Sequence, residues 1–171
     1  MKLLIKSYCN RHRFLLVVLS VILLSALSRE GFAQEPPPRP LVVTVTQNLG
    51  FGAFTHGAAG GTITMSSSGT RSSTGTVIPL NLGYLFSAAI YQLLANPRTL
   101  ITILNVPDVL LSGSNSGFMT LHIVTPSQLV ITTDPPAFTL LNIGGTLTVG
   151  NTVSNPPGNY NGSFDITFLQ E

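Results

Sequence analysis

The sequence contains very little cysteine, tryptophan and charge. Cysteine occurs once, tryptophan does not occur, and charged side chains make up 8% of the 171 residues. The one cysteine, Cys9, lies near the start, so the chain beyond it cannot form an internal disulfide. Its stability must then come from a packed core. These absences exclude a disulfide-stapled scaffold and a cysteine-based metal site beyond Cys9.

The first 33 residues are typical of a secretory signal peptide. A basic start without acids precedes the uncharged run Phe14–Leu27, and Gly31 and Ala33 then form a small-x-small site. The apolar run is shorter than the ~20 residues that span a bilayer. We predict cleavage after Ala33 and export through the inner membrane to the periplasm, the cell surface or the extracellular space. No stable membrane span would remain after cleavage, and the alternative is a retained anchor.

Cleavage would reverse the sign of the net charge. The whole chain carries a formal charge of +2, whereas the 138 residues after Ala33 hold three arginines against five acids, a net charge of −2. They contain no lysine and no arginine cluster, and phosphate binding requires such clusters. We therefore predict no nucleic-acid partner. A chain of this length is a normal size for one domain.

A Pro-rich linker over residues 34–40, QEPPPRP, precedes the patterned part of the chain. Successive prolines favour an extended polyproline II conformation and cannot donate hydrogen bonds to a sheet. From Leu41 onward, apolar residues alternate with polar ones, which is typical of half-buried strands. Five stretches carry this pattern: Val42–Gln47, Gly61–Ser67, Phe118–Val124, Gly144–Gly150 and Ser163–Phe168. With turn-forming runs between them, they predict an all-β domain over residues 41–171, a sandwich or a barrel.

The segment Leu85–Ala95 fits two kinds of structure. Leu85, Ala89 and Leu93 are four residues apart, as on one face of a helix, and an Asn-Pro pair follows as a stop signal. We interpret the segment as a strand because the rest of the patterned chain is β.

The order of the motifs resembles a known bacterial family. LGFGAF, GGTITMSSSGTRSSTGTV, GFMTLHI, LLNIGGTLTVG and PPGNYNGSFDITF follow one another as in the domain-of-unknown-function 4402 family, from about Leu41 to Phe168. The ending is also similar to the last strand of spore-coat-U and archaic fimbrial subunits, which are immunoglobulin-like sandwiches. The resemblance implies a single immunoglobulin-like or pilin-like antiparallel β-sandwich and a surface or fimbria-like structural protein. The chain departs from the family pattern at Tyr91 and Ala95.

Residues that could carry chemistry are few and scattered. The histidines beyond Ala33 are His56, in a Gly-rich loop, and His122, whose place in an alternating strand predicts a solvent-facing side chain. No nucleophile elbow, metal-ligand spacing or phosphate loop accompanies them. We predict that the protein is not an enzyme, with no catalytic, metal-binding or cofactor-binding residues and no cofactor. Arg71 is predicted to decorate a loop rather than to pair with an acid.

Two functions remain after enzymes are set aside. The first is a structural protein that pairs strands with itself or a related subunit, with Leu41–Gln47 as a strand that could be donated. The alternative is an extracellular glycan- or ligand-binding sandwich. Its candidate aromatics are Phe54, Tyr84, Tyr91 and Tyr160, although such residues more often pack in cores.

The C-terminal stretch predicts the last strand of the sandwich. A Pro-Pro-Gly turn precedes Tyr160, which we expect to hydrogen-bond back to that turn as a corner tyrosine. Gly162 indicates a bulge or a close approach of another chain segment. Phe164, Ile166 and Phe168 are predicted to enter the core, with the intervening residues in water.

Overall fold

The computed structural model describes residues 39–126, 128–130 and 138–171, and the regular elements in these ranges are all β-strands. No helix in these ranges is long and apolar enough to cross a membrane. The predicted signal peptide and most of the Pro-rich linker lie outside them. The strands are β1 (Val42–Gln47), β2 (Gly50–Phe51), β3 (Phe54–Thr55), β4 (Gly61–Met65), β5 (Arg71–Gly75), β6 (Ile78–Pro79), β7 (Phe86–Ser87), β8 (Ala89–Leu94), β9 (Leu100–Ile103), β10 (Val109–Gly113), β11 (Phe118–Val124), β12 (Gln128–Val130), β13 (Thr139–Val149), β14 (Tyr160–Asn161) and β15 (Phe168–Gln170).

The all-β class is confirmed, and four of the five alternating stretches form strands where they were predicted. β1 and β11 coincide with their patterns, β4 ends two residues before its pattern does, and β13 extends the fourth pattern back to Thr139. The strand interpretation of Leu85–Ala95 is also confirmed by β7 and β8. Along β8 every second residue is buried, with Tyr91 and Leu93 among them. Burial therefore repeats every two residues, as in a strand, and not every four, as on a helix face.

β13 connects two groups of antiparallel strands. Its first half pairs with β8, which in turn pairs with β1. Its second half lies between β11 and β4, and these continue to β10, β14 and β5. The change of partner falls at Gly144, where an added Cβ would collide with the carbonyl oxygen of Met65. Glycine at this position lets the backbone of β4 approach β13 closely.

A smaller sheet, β12-β9-β15, packs against the same core. The rings of Tyr91 on β8 and Phe168 on β15 lie 6.1 Å apart between centroids. Ile101 and Ile103 of β9 are buried in the same apolar cluster as Ile143 of β13. Antiparallel sheets that share one apolar core form the layered arrangement of the predicted sandwich.

The last alternating stretch differs from its prediction. Residues 162–167 pair with no strand, although β14 before them pairs with β10 and β15 after them pairs with β9. Seven positions separate Asn161 from Phe168, whereas nine separate their partners Ile103 and Ser112. The partner segment is therefore two residues longer and also contains Pro107, so a regular ladder cannot persist.

The side-chain alternation survives without the ladder. Phe164, Ile166 and Phe168 are half-buried against the core, while Asp165 and Thr167 are exposed. The predicted strand is thus wrong over residues 163–167, but the predicted inward side of the segment is confirmed.

Candidate functional site

Two strand edges without a neighbour border the most accessible part of the core. One belongs to residues 41–56, where β1 pairs with β8 alone. The other belongs to residues 160–170, whose middle pairs with no strand. We call the space between these two edges the cleft. The proposed donor strand Leu41–Gln47 is thus largely β1 in this structure, paired within its own chain, with Val43 opposite Leu93.

The two ends of the cleft are fixed by hydrogen bonds. At one end the side-chain amide of Gln170 accepts from Leu41 N–H and donates to the Arg39 carbonyl, both at 2.9 Å. At the other end His56 Nε2 lies 3.0 Å from the Asn155 carbonyl oxygen, which therefore accepts its proton. The edges run in opposite directions between these ends, so a strand inserted between them would be antiparallel to one and parallel to the other.

The cleft widens toward the His56 end into a cavity of about 930 Å³. We call this part the wide half. Its floor consists of core residues that include Met119 and Leu121, and its walls come from Leu49–Phe54 and Tyr160–Phe164. No aspartate, glutamate, lysine or arginine is among the described residues that line it. A charged occupant would have no opposite charge to pair with in this lining, so the opening favours an uncharged one.

Core-facing side chains along both edges remain partly exposed. Val43 and Val45 stand opposite Leu93 and Tyr91, so they share the buried side of the sheet. They are nevertheless 36% and 54% exposed, whereas Leu93 is 0% exposed. Together with the half-buried Ile166 across the cleft, they form an inner surface that lacks one covering strand.

Arg71 fixes one wall of the wide half. Its guanidinium donates to the carbonyls of Phe51, Ala53 and Leu80 at 3.0, 3.3 and 3.3 Å. The same group lies 4.2 Å from the ring centroid of Phe86, a cation–π contact. The prediction that Arg71 decorates a loop is wrong, because the side chain connects three backbone segments.

The turn before the C-terminal segment is built on two side chains. Tyr160 OH donates to the Pro156 carbonyl at 2.7 Å, which confirms the corner tyrosine. Asn155, 1% exposed, donates to the Phe118 carbonyl at 2.6 Å and accepts from Gly150 N–H. Asn155 was not predicted from the sequence, since an Asn before two prolines is indistinguishable from any other turn residue. The close approach predicted at Gly162 is also present, against the Leu111 side chain.

The two histidines have different partners and different exposures. His122 is exposed, as predicted, and its Nδ1 lies 2.7 Å from Asp108 Oδ1, a pairing that the sequence did not indicate. The pair sits in the open, with side-chain exposures of 60% and 58%. His56 Nδ1 is buried without a hydrogen-bond partner. Among the described residues no three His, Cys, Asp or Glu side chains form a group that could hold a metal ion.

The four candidate aromatics divide by exposure. Tyr84 is 66% exposed beside the wide half, Phe54 and Tyr160 are half-buried, and Tyr91 is buried. Burial, assisted by the nearby Asp165 carboxylate, raises the pKa of Tyr91 above its ordinary value. Tyr91 is therefore a core residue held in its neutral form.

Comparison with known proteins identifies the family of the domain. No curated protein and no solved structure matches the chain. The model of one family, described as "Domain of unknown function (DUF4402)", matches residues 41–169. The match begins one residue before β1 and ends within β15, so it includes both edges of the cleft. The chain therefore belongs to the DUF4402 family.

Proposed function

We propose that this protein is an exported, non-enzymatic surface or fimbria-like structural subunit that assembles by strand addition in the cleft. The observation that carries the proposal is the pair of strand edges without neighbours, which border core-facing side chains left partly in water. An added strand would supply backbone partners to both edges and would cover these side chains at the same time.

The exposed apolar surface supplies the driving force for this addition. Covering apolar area is worth roughly 25 cal/mol per Å². Ile166 and Phe168 on one edge, and Val43 and Val45 on the other, would all lose exposed area to an inserted strand. A strand with an apolar residue at every second position meets both edges, because its inward side chains repeat at the same interval as theirs.

The incoming strand belongs to another molecule. β1 is held in place by its register with β8, which extends from Val42 opposite Leu94 to Gln47 opposite Ile90. Its donation would expose the β8 edge of its own domain and leave two strands missing instead of one. The earlier expectation that Leu41–Gln47 is the donor is therefore not part of this proposal.

Amide hydrogen exchange tests the proposal directly. Exchange at alternate amides within Gly162–Thr167 should slow by about tenfold or more when purified subunits assemble, because the N–H groups that point into the cleft gain strand partners. The matched variants are Ser163→Pro, which removes one donor and blocks a neighbouring strand, and Ser163→Ala, which keeps the N–H. We expect Ser163→Pro to stay folded and unassembled, and Ser163→Ala to assemble normally. Assembly without new protection of this segment would rule out strand addition.

A further inference from the structure

We infer that the protein forms a two-fold dimer in which residues 81–85 of each copy enter the wide half of the other copy's cleft. We call residues 81–85 the apolar loop. The inference goes beyond strand addition and does not depend on it, although the loop and an added strand would compete for the wide half.

The apolar loop exposes three large apolar side chains that are close together in the sequence. Leu82, Tyr84 and Leu85 are 64%, 66% and 88% exposed. Gly83 between them has a φ of +79°, and a Cβ added there would meet no other atom within 4 Å, so the backbone is open to water at this point. No charged residue occurs from residue 72 to residue 97. An exposed apolar patch of this kind marks an interaction site.

Both ends of the apolar loop are held in place. β6 before it pairs with β3, and β7 after it pairs with β2. The Arg71 guanidinium donates to the Leu80 carbonyl at 3.3 Å and lies 4.2 Å from the ring centroid of Phe86, so one side chain fixes both ends. A loop that is already held in this way loses little conformational entropy on docking.

The wide half has the chemistry that suits the apolar loop. Its floor includes Met119 and Leu121, and no aspartate, glutamate, lysine or arginine is among the described residues that line it. An uncharged loop therefore brings no charge that would be buried without a partner.

The wall of the wide half favours a polypeptide over a lipid surface. Gly162 and Phe164 line the cavity, and residues 162–167 pair with no strand. The backbone of an entering loop can exchange hydrogen bonds with this segment, whereas acyl chains offer it no partners. A second copy of the chain is thus a better occupant than a membrane.

The position of the apolar loop makes the contact reciprocal. Leu82, Tyr84 and Leu85 themselves stand at the rim of the wide half. The loop and the cavity therefore lie side by side on each copy. A two-fold interface requires this arrangement, because the same patch is used on both subunits.

The available area is sufficient for a stable dimer. At ~200 Å² for a large side chain, the three exposed side chains of one loop offer roughly 400 Å². Docking would cover a similar area of the partner's cavity, and the two-fold axis doubles the total to roughly 1,600 Å², within the ~1,200–2,000 Å² that specific interfaces bury.

Sedimentation velocity of the purified exported protein tests the loop. Wild type should dimerise with a Kd of roughly 1–100 μM, and Leu85→Asp should raise that Kd at least about tenfold, because it carries a charge into the uncharged cavity. Leu85 is 88% exposed within one copy, so the variant should fold normally. The matched control is Val153→Asp, the same type of change at an equally exposed residue that does not line the cavity. It should dimerise as wild type does.

A second variant tests the cavity. Asn161→Asp adds a carboxylate to an exposed position in the cavity wall without changing the size of the side chain. It should raise the dimer Kd at least about threefold, because the docked loop offers that charge no partner. Asn105→Asp makes the identical change at an exposed position that does not line the cavity, and it should leave the Kd unchanged.

Four results would overturn the dimer. One is a wild-type chain that stays monomeric at about 1 mM. Another is equal weakening by a variant and its control, which would indicate general charge repulsion. A normal Kd for Asn161→Asp would place the loop contact outside the cavity. Monomeric wild type that binds phosphatidylcholine vesicles, with binding lost in Leu85→Asp, would assign the loop to a membrane instead.

Discussion

β13 and the C-terminal segment Tyr160–Gln170 are each eleven residues long with apolar residues at alternate positions, yet they end in different environments. β13 has strands on both sides over its second half, and its inward residue Leu147, between Leu121 and Ile63, is 2% exposed. The C-terminal segment pairs on one side at its two ends only, and its inward residues are half-buried. The same pattern therefore reports which face points inward, while the elements packed around the segment set how far that face is buried.

The largest effect is expected around the second half of β13, which has strands on both sides; we call this the closed side of the domain. Ile63 on β4 is 0% exposed and lies opposite Leu147 of β13. Ile63→Ala should lower the free energy of unfolding by about 2–5 kcal/mol, through lost transfer energy and a residual cavity. Urea unfolding of the purified subunit measures it. Leu110→Ala, at a 62% exposed position on β10, is the control and should change stability by no more than about 0.5 kcal/mol.

The buried amide that anchors the C-terminal turn comes next. Asn155→Ala removes the hydrogen bonds to the Phe118 carbonyl and from Gly150 N–H at a position that is 1% exposed. We expect a loss of about 1–3 kcal/mol in the same unfolding assay. Asn115→Ala deletes a similar but exposed bond to the Pro157 carbonyl and should cost less than about 1 kcal/mol. Equal losses for the two variants would contradict an anchoring role for Asn155.

The C-terminal segment Tyr160–Gln170, which we call the open side, should lose less stability on truncation in the isolated subunit. Ile166→Ala removes a half-buried side chain, so we expect a loss of roughly 1–2 kcal/mol, below that of Ile63→Ala. The same change should weaken assembly, because an added strand would complete the burial of Ile166. If Ile166→Ala lowered the free energy of unfolding of the monomer as much as Ile63→Ala does, the cleft would be closed in solution. The two sides would then not differ in burial.

Alternation in the sequence predicted four of the longer strands, β1, β4, β11 and β13, because side chains in a strand point to opposite faces at a fixed interval of two. It also predicted the inward residues of the last segment, Phe164, Ile166 and Phe168, without any ladder beneath them. It could not predict the missing pairing at residues 163–167. That gap depends on two extra residues in a distant partner segment, and nothing within the C-terminal stretch records them.

The sequence predicts only part of the cleft. The Pro-rich linker and the alternating stretches are visible in the sequence, and they led to the hypothesis that the protein pairs strands with another subunit. The wide half is not visible, because its walls come from residues near Leu49 and Tyr160 that meet only in the fold. Arg71 shows the same limit, since its acceptors are backbone carbonyls, which carry no side-chain signature.

The smallest expected effect concerns Tyr91, which lies where the closed and open sides meet. Its pKa is raised, so the unfolded chain loses the phenolic proton first as pH rises past about 10. Below that pH both states are protonated and stability does not depend on this group; above it, stability falls until the folded phenol also ionises. Urea unfolding between about pH 9 and pH 11 should therefore show a decline that is shallower in Tyr91→Phe. Asp165→Asn should reduce the decline by a smaller fraction, because the carboxylate is secondary to burial as a cause of the shift. If Tyr91→Phe keeps the full decline, the ring is hydrated through the cleft, and the boundary between the two sides lies deeper than Tyr91.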